Sequence, residues 1–97
     1  VRALRTEEAK PLILEGLKHQ PKHEQLLMNL GYCHYQEKQW KLAITTYEKA
    51  LALNPESQAT LSLIDLYITV GQKDRAKVLY ERAKKWADPA ILRGWSF

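Results

Sequence analysis

Ala43 to Pro55 read AITTYEKALALNP. Ala43, Ile44, Tyr47, Ala50 and Leu51 recur at helical spacing, and the pattern stops at a proline, which cannot donate to a helix. The decisive question is whether this helix is unique in the chain or one copy of a repeated unit. Ala43, Tyr47 and Ala50 return 33 residues later as Ala76, Tyr80 and Ala83, and Leu30-Gly31 returns at the same offset as Leu63-Ile64. Stepping back 34 residues places Ala9, Ile13 and Gly16 in the same roles, with Pro21 matching Pro55. Each set runs small, large apolar, small.

The neighbouring segments complete the unit. PKHEQLLMNLGYCHYQEK carries Leu27, Leu30, Gly31, His34 and Tyr35 on one helical stripe, and only Lys38 and Gln39 separate it from the next helix. A connection that short makes the two helices an antiparallel hairpin. SQATLSLIDLYITVG and KDRAKVLYERAKKWA form a second pair, with Gly71 placed to end the third helix in a left-handed turn. No stretch alternates with period two, so the chain reads as all-α. A period of 33–34 residues with two helices per unit marks a helical repeat array.

At 97 residues, 45% hydrophobic and 27% charged, with four glycines and four prolines, the chain has globular composition and room for one domain. The net charge of +4 permits acidic partners without establishing them. A single cysteine, Cys33, excludes an internal disulfide and fits a reducing compartment, so a cytoplasmic location is the expectation. No apolar run approaches the roughly 20 residues that cross a bilayer, so membrane insertion is not expected. No signal peptide is visible, and the first residue is Val1, which suggests a chain excised from a longer protein or processed.

Residues 24–56 resemble a tetratricopeptide repeat. The family pattern of a leading aromatic or leucine, Leu-Gly, an aromatic, then Ala, aromatic, Ala and Pro is met by Leu27, Leu30-Gly31, His34 with Tyr35 beside it, Ala43, Tyr47, Ala50 and Pro55. Residues 57–88 resemble a second, slightly shortened repeat with Leu63, Tyr67, Gly71, Ala76, Tyr80 and Ala83, but with Thr60 for the aromatic and Ile64 for the glycine. Residues 6–21 resemble only the second helix of a preceding repeat, or a capping helix. The resemblance implies one domain over 1–97, with antiparallel hairpins stacked as a right-handed superhelix. About five helices are followed by a short C-terminal capping helix over 89–97.

Several local expectations follow. Gly31 and Ala43 are expected to face each other where two backbones approach. Tyr47 and Ala50 are expected to meet the next hairpin. Pro11 either kinks a first helix that starts near Thr6 or is itself the first residue of that helix. In the tail, Asp88 is an expected N-cap with Pro89 at the first helical position, and Gly94 is expected to end the helix after about two turns. Ile91, Leu92, Trp95 and Phe97 are expected to cover the last hairpin, the rival being docking on another subunit.

Candidate chemistry is thin. His19 and His23 have a metal-like spacing, but Pro21 between them suggests a loop, and no further ligand completes a site. Cys33 and His34 are adjacent, so on a helix they point about 100° apart and do not make a nucleophile–base pair. No phosphate loop appears, and no catalytic residue, cofactor or metal is expected. Lys73, Arg75, Lys77, Arg82, Lys84, Lys85 and Arg93 read as a solvated outer face; only Trp86 and Trp95 offer stacking, and nucleic acid is not the expected partner.

The resemblance also implies a binding surface, because in the family the first helix of each hairpin lines the inner wall and holds peptide ligands. On that wall the first repeat offers Gln25, Met28, Asn29, Tyr32, Tyr35 and Gln36, and the second offers Gln58, Leu61, Asp65, Ile68 and Thr69. Tyr32 is expected in the groove and Tyr35 between the repeats. Asn29 matches a place that carboxylate-gripping relatives use, but Met28 and Ser62 stand where their cations would be. The expected function is therefore non-catalytic binding of a partner protein or peptide segment. The alternatives are a self-assembling or structural fragment of a larger scaffold, with homo-oligomers formed through Leu12, Leu14 and Leu17, or a small secretion or pilus-assembly chaperone.

Overall fold

The computed structural model describes residues 6–95 and 97, so residues 1–5 and 96 of the expected domain lie outside the described residues. Among the described residues six helices follow one another: α1 (Thr6–His19), α2 (Glu24–Gln36), α3 (Trp40–Leu53), α4 (Ala59–Thr69), α5 (Lys73–Ala83) and α6 (Pro89–Leu92). Among the described residues there is no strand. Each of α1 to α4 packs on its successor, and the chain forms stacked helical hairpins.

The two hairpin turns are built alike. After α2, Gln39 N–H bonds the His34 carbonyl at 2.9 Å and Lys38 N–H bonds Tyr35 at 2.9 Å. After α4, Gln72 bonds Tyr67 at 2.7 Å and Gly71 bonds Ile68 at 3.1 Å. Both are Schellman turns that satisfy the last carbonyls of the helix through one left-handed residue. That residue is Gly71, at φ 82°, in the second turn and Lys38, at φ 59°, in the first. Positive φ suits glycine and strains lysine.

Side chains cap the starts of α2, α4 and α6, whereas α3 and α5 have no such cap. His23 Nδ1 accepts from Leu26 N–H at 3.2 Å, Ser57 Oγ from Ala59 N–H at 3.1 Å, and Asp88 Oδ1 from Ala90 N–H at 2.9 Å. The Asp88 cap and Pro89 stand as expected, but α6 ends at Leu92 after four residues, short of Gly94.

Two clusters make the core. The larger joins Leu27, Ala43, Tyr47 and Ala50 to Leu63, Ile64, Leu66, Ala76, Leu79, Ala83 and Leu92. The smaller places Ile13 of α1 on Leu30 and Cys33 of α2. The small residues recurring at the repeat offset, Ala43, Ala50, Ala76 and Ala83, are wholly buried. The neighbour that needs Gly31, however, is Tyr47 rather than Ala43: a Cβ at Gly31 would lie 2.9 Å from that ring. Ile64, one repeat after Gly31, is wholly buried in the second hairpin. Tyr80 does not insert as Tyr47 does; it stays half-buried and tilts against Phe97, ring centroids 4.8 Å apart.

α1 begins at Thr6 and carries Pro11 inside it, so the alternative start at Pro11 does not occur. Leu17 packs on both clusters, whereas Leu12 and Leu14 are exposed. In the tail, Leu92 is buried, Trp95 packs on the core and Ile91 points outward.

Candidate functional site

α2 and α4 stand side by side and form one wall. Tyr35 Oη of α2 ties the two by donating to Asp65 Oδ2 of α4 at 3.2 Å, and Ser57 Oγ, just ahead of α4, donates to Met28 Sδ of α2 at 3.6 Å. Tyr35 also meets Trp40 of its own hairpin edge-on, ring centroids 5.4 Å apart, while its hydroxyl reaches the next repeat at Asp65. The charge on Asp65, above all, holds the Tyr35 hydroxyl above its usual pKa.

Two clefts open on this wall, and Tyr32 lines both. The first, about 280 Å³, lies between α1 and α2 among Ala9, Leu12, Ile13, Asn29, Tyr32 and Cys33. Apart from Asn29 and the tyrosine hydroxyl it offers apolar side chains and a thiol. The second, about 190 Å³, lies among Tyr32, Tyr35, Tyr47, Ser62 and Asp65. Tyr47 is nearly buried there and meets the Ser62 hydroxyl; burial chiefly raises its pKa, and the Ser62 bond opposes the rise. Tyr32 itself is 57% exposed at the boundary of the two clefts.

Of the residues expected on the wall, the clefts gather Asn29, Tyr32, Tyr35 and Asp65. Gln25 donates to Asn29 at 3.2 Å on the exposed side of α2. Met28 and Leu61 are half-buried against the core, Gln36 and Gln58 are exposed, and Ile68 is 39% exposed. Thr69 Oγ1 donates to its own helix at Asp65 O, 2.9 Å away. None of these lines either cleft. Sequence reasoning missed Ala9 and Leu12, which α1 contributes to the first cleft, and Tyr47 and Ser62 in the second. Leu12 had a visible signal, a leucine outside the buried stripe of α1.

The other candidates have structural surroundings. Cys33 is buried, and burial foremost pushes its thiol pKa up. His34 is buried with Nδ1 3.8 Å from Glu37 Oε1, beyond hydrogen-bonding reach. Lys10 holds that Glu37 oxygen at 2.8 Å and lowers the pKa of the carboxyl, which ties α1 to the end of α2. His19 is the last residue of α1, 3.2 Å from Glu15, and His23 lies in the connection around Pro21, where it caps α2. Among the described residues no group of three or more His, Cys, Asp or Glu is placed to hold a metal. Trp86 and Trp95 pack on the core instead of standing out beside the lysines of the C-terminal third. Among the described residues no helix is long and apolar enough to cross a membrane.

Larger hollows lie elsewhere. One of about 370 Å³ sits between α3 and α5 beside Glu48 and Arg82, and one of about 530 Å³ surrounds Trp40, Leu42 and Val70. Neither includes a side chain of the α2–α4 wall apart from the buried Thr60.

Residues 25–57 match the tetratricopeptide repeat family model. No curated protein matches the chain. Among solved structures, MamA AMB-1 superposes with a TM-score of 0.75 at 20% identity, over 84% of this chain and 45% of that one. An arginine-to-glutamate mutant of MamA gives 0.78 at 19%, over 87% and 62%. An aspartate-to-lysine mutant of MamA gives 0.74 at 20%, over 82% and 44%. The chain thus spans about half the length of the solved structures it matches. Residues 25–57 thus match one tetratricopeptide repeat, and the chain shares the stacked-hairpin fold of these solved structures.

Proposed function

We propose that this chain is a non-catalytic module that holds a segment of a partner protein against the α2–α4 wall. The observation that carries the reading is Tyr32, a large aromatic left 57% exposed where two clefts meet. Exposed aromatics set beside pockets are the side chains that dominate protein interfaces. A partner side chain entering the first cleft buries apolar surface against Leu12, Ile13 and Tyr32, at about 25 cal/mol per Å². Asn29 and Asp65 then fix the register of the segment through hydrogen bonds.

The test is a selection from a random-peptide display library against the whole chain, followed by binding of the enriched peptides to Tyr32→Ala and Leu12→Ser. Peptides that bind the parent and lose affinity for both variants support the reading. Peptides that bind the variants equally well, with helical spectra intact, overturn it.

A second reading rests on Leu14, 48% exposed on α1: the helix packs on another copy of the chain. Sedimentation velocity over rising concentration tests it, and a species that stays monomeric counts against it.

A further inference from the structure

The cleft among α2, α3 and α4 has a chemistry that the general groove reading does not specify. Three tyrosines, Tyr32, Tyr35 and Tyr47, line it together with the Asp65 carboxylate and the Ser62 hydroxyl. We propose that this cleft is a cation pocket, taking one ammonium or guanidinium side chain of the docked segment. The proposal rests on the groove reading and deepens it by naming what the segment presents.

Three observations select a cation. Aromatic side chains attract positive charge through the electron-rich faces of their rings, and a cleft with several of them beside a carboxylate adds a point charge of the right sign. Next, Asp65 is half-buried, and its one described side-chain bond is the Tyr35 hydroxyl on Oδ2. Among the described residues no donor bonds Oδ1, and Asp65 makes no ion pair. A carboxylate partly withdrawn from water without a counter-charge is unfavourable, and a cation supplied from outside relieves it.

Third, the chain has 15 lysines and arginines and a net charge of +4, yet neither α2 nor α4 contains one. The acidic residues of these two helices are Glu24 and Asp65, and Glu24 takes a bond from Asn54 at 3.4 Å. The wall is therefore negative within a positive molecule, which attracts a basic segment to this side and disfavours it elsewhere. An acidic side chain in the cleft meets Asp65 as a like charge. A purely apolar one fills the space but strips water from the carboxylate without replacing it. Because Tyr32 also borders the apolar cleft, the segment this wall fits has an apolar residue close to a lysine or arginine.

The whole chain, nitrogen-labelled for NMR, is titrated with the methylamides of N-acetyl-lysine, N-acetyl-trimethyllysine, N-acetyl-norleucine and N-acetyl-glutamate. The two lysine probes are expected to shift the amides of Tyr32, Ser62 and Asp65 and to saturate, whereas norleucine and glutamate leave them unmoved. Asp65→Asn, which keeps an acceptor for Tyr35, weakens the lysine probes about tenfold. Tyr32→Leu, at an exposed position, weakens them as well and decides the matter if Asp65→Asn does not fold. Norleucine binding as tightly as lysine overturns the cation pocket and leaves the groove reading in place. Silence from all four probes also overturns it, and the groove reading is then judged on the selected peptides and Tyr32→Ala alone.

Discussion

The Tyr35 hydroxyl on α2 bonds the Asp65 carboxylate on α4 at 3.2 Å, across 30 residues of sequence. This single contact links successive first helices and closes one side of the second cleft. The same tyrosine rests on Trp40 at the start of α3. A side chain that joins the repeats therefore also shapes the wall between them, so the second cleft is fixed by the packing of the array. That rigidity lowers the ordering cost of holding a ligand.

Gly31→Ala should destabilise the fold by about 1–3 kcal/mol, because the new methyl would meet the Tyr47 ring at 2.9 Å and that ring is locked in the core. Urea unfolding followed by circular dichroism measures the loss. Gly94→Ala is the control, since among the described residues nothing stands within 4 Å of a Cβ there.

Lys38→Gly should stabilise the chain by about 0.5–1 kcal/mol, since lysine occupies the left-handed place of its Schellman turn at φ 59°. The reverse exchange, Gly71→Lys at φ 82°, should cost about 1 kcal/mol or more. Thermal melts of the two variants with opposite shifts in melting temperature would confirm that the turns are equivalent.

Pro11→Ala should strengthen α1 by about 1–3 kcal/mol, because position 11 lies past the first turn of a helix that starts at Thr6 and proline cannot donate there. Hydrogen exchange of the α1 amides should slow relative to the parent chain. Unchanged protection would show that neighbouring contacts already compensate.

Stability should fall as pH rises from 10 toward 12. Tyr67 is pushed from 10 up to about 12, first by burial, then by the Glu48 carboxylate that accepts its hydroxyl at 2.5 Å, with Arg75 opposing. The folded chain then keeps a proton that the unfolded chain releases, so the unfolded state gains in this window; below pH 10 both hold it and the contribution is complete. Tyr35 and Tyr47 are shifted the same way and add to the fall. Urea titrations across the window should show a smaller decline in Tyr67→Phe than in the parent.

The architecture was legible because the offset linking Ala43, Tyr47 and Ala50 to Ala76, Tyr80 and Ala83 is an interval of helical packing, independent of any local propensity. Contact depth was less legible. Spacing places Gly31 on the face that meets α3, but only the size of Tyr47 decides which residue enters the gap. Lys38 gave no sign of its left-handed backbone, since lysine has no preference for it; the only clue was that Gly71 lies one repeat later. The first cleft was half visible. Asn29 and Tyr32 are on α2, where the wall was expected, but Leu12 is on α1, a helix whose partner repeat precedes the chain's two full units. Tyr47 was assigned to core packing, and its second role as a cleft wall depends on the register between α3 and α4, which no single-helix pattern contains.

Whether a partner segment lies across Tyr32 is decided by chemical-shift mapping of the chain with a display-selected peptide bound. The largest changes should fall on Leu12, Asn29, Tyr32, Ser62 and Asp65, and they should vanish in Tyr32→Ala. Changes centred instead on Glu48, Leu51 and Arg82, in the hollow between α3 and α5, would contradict docking there.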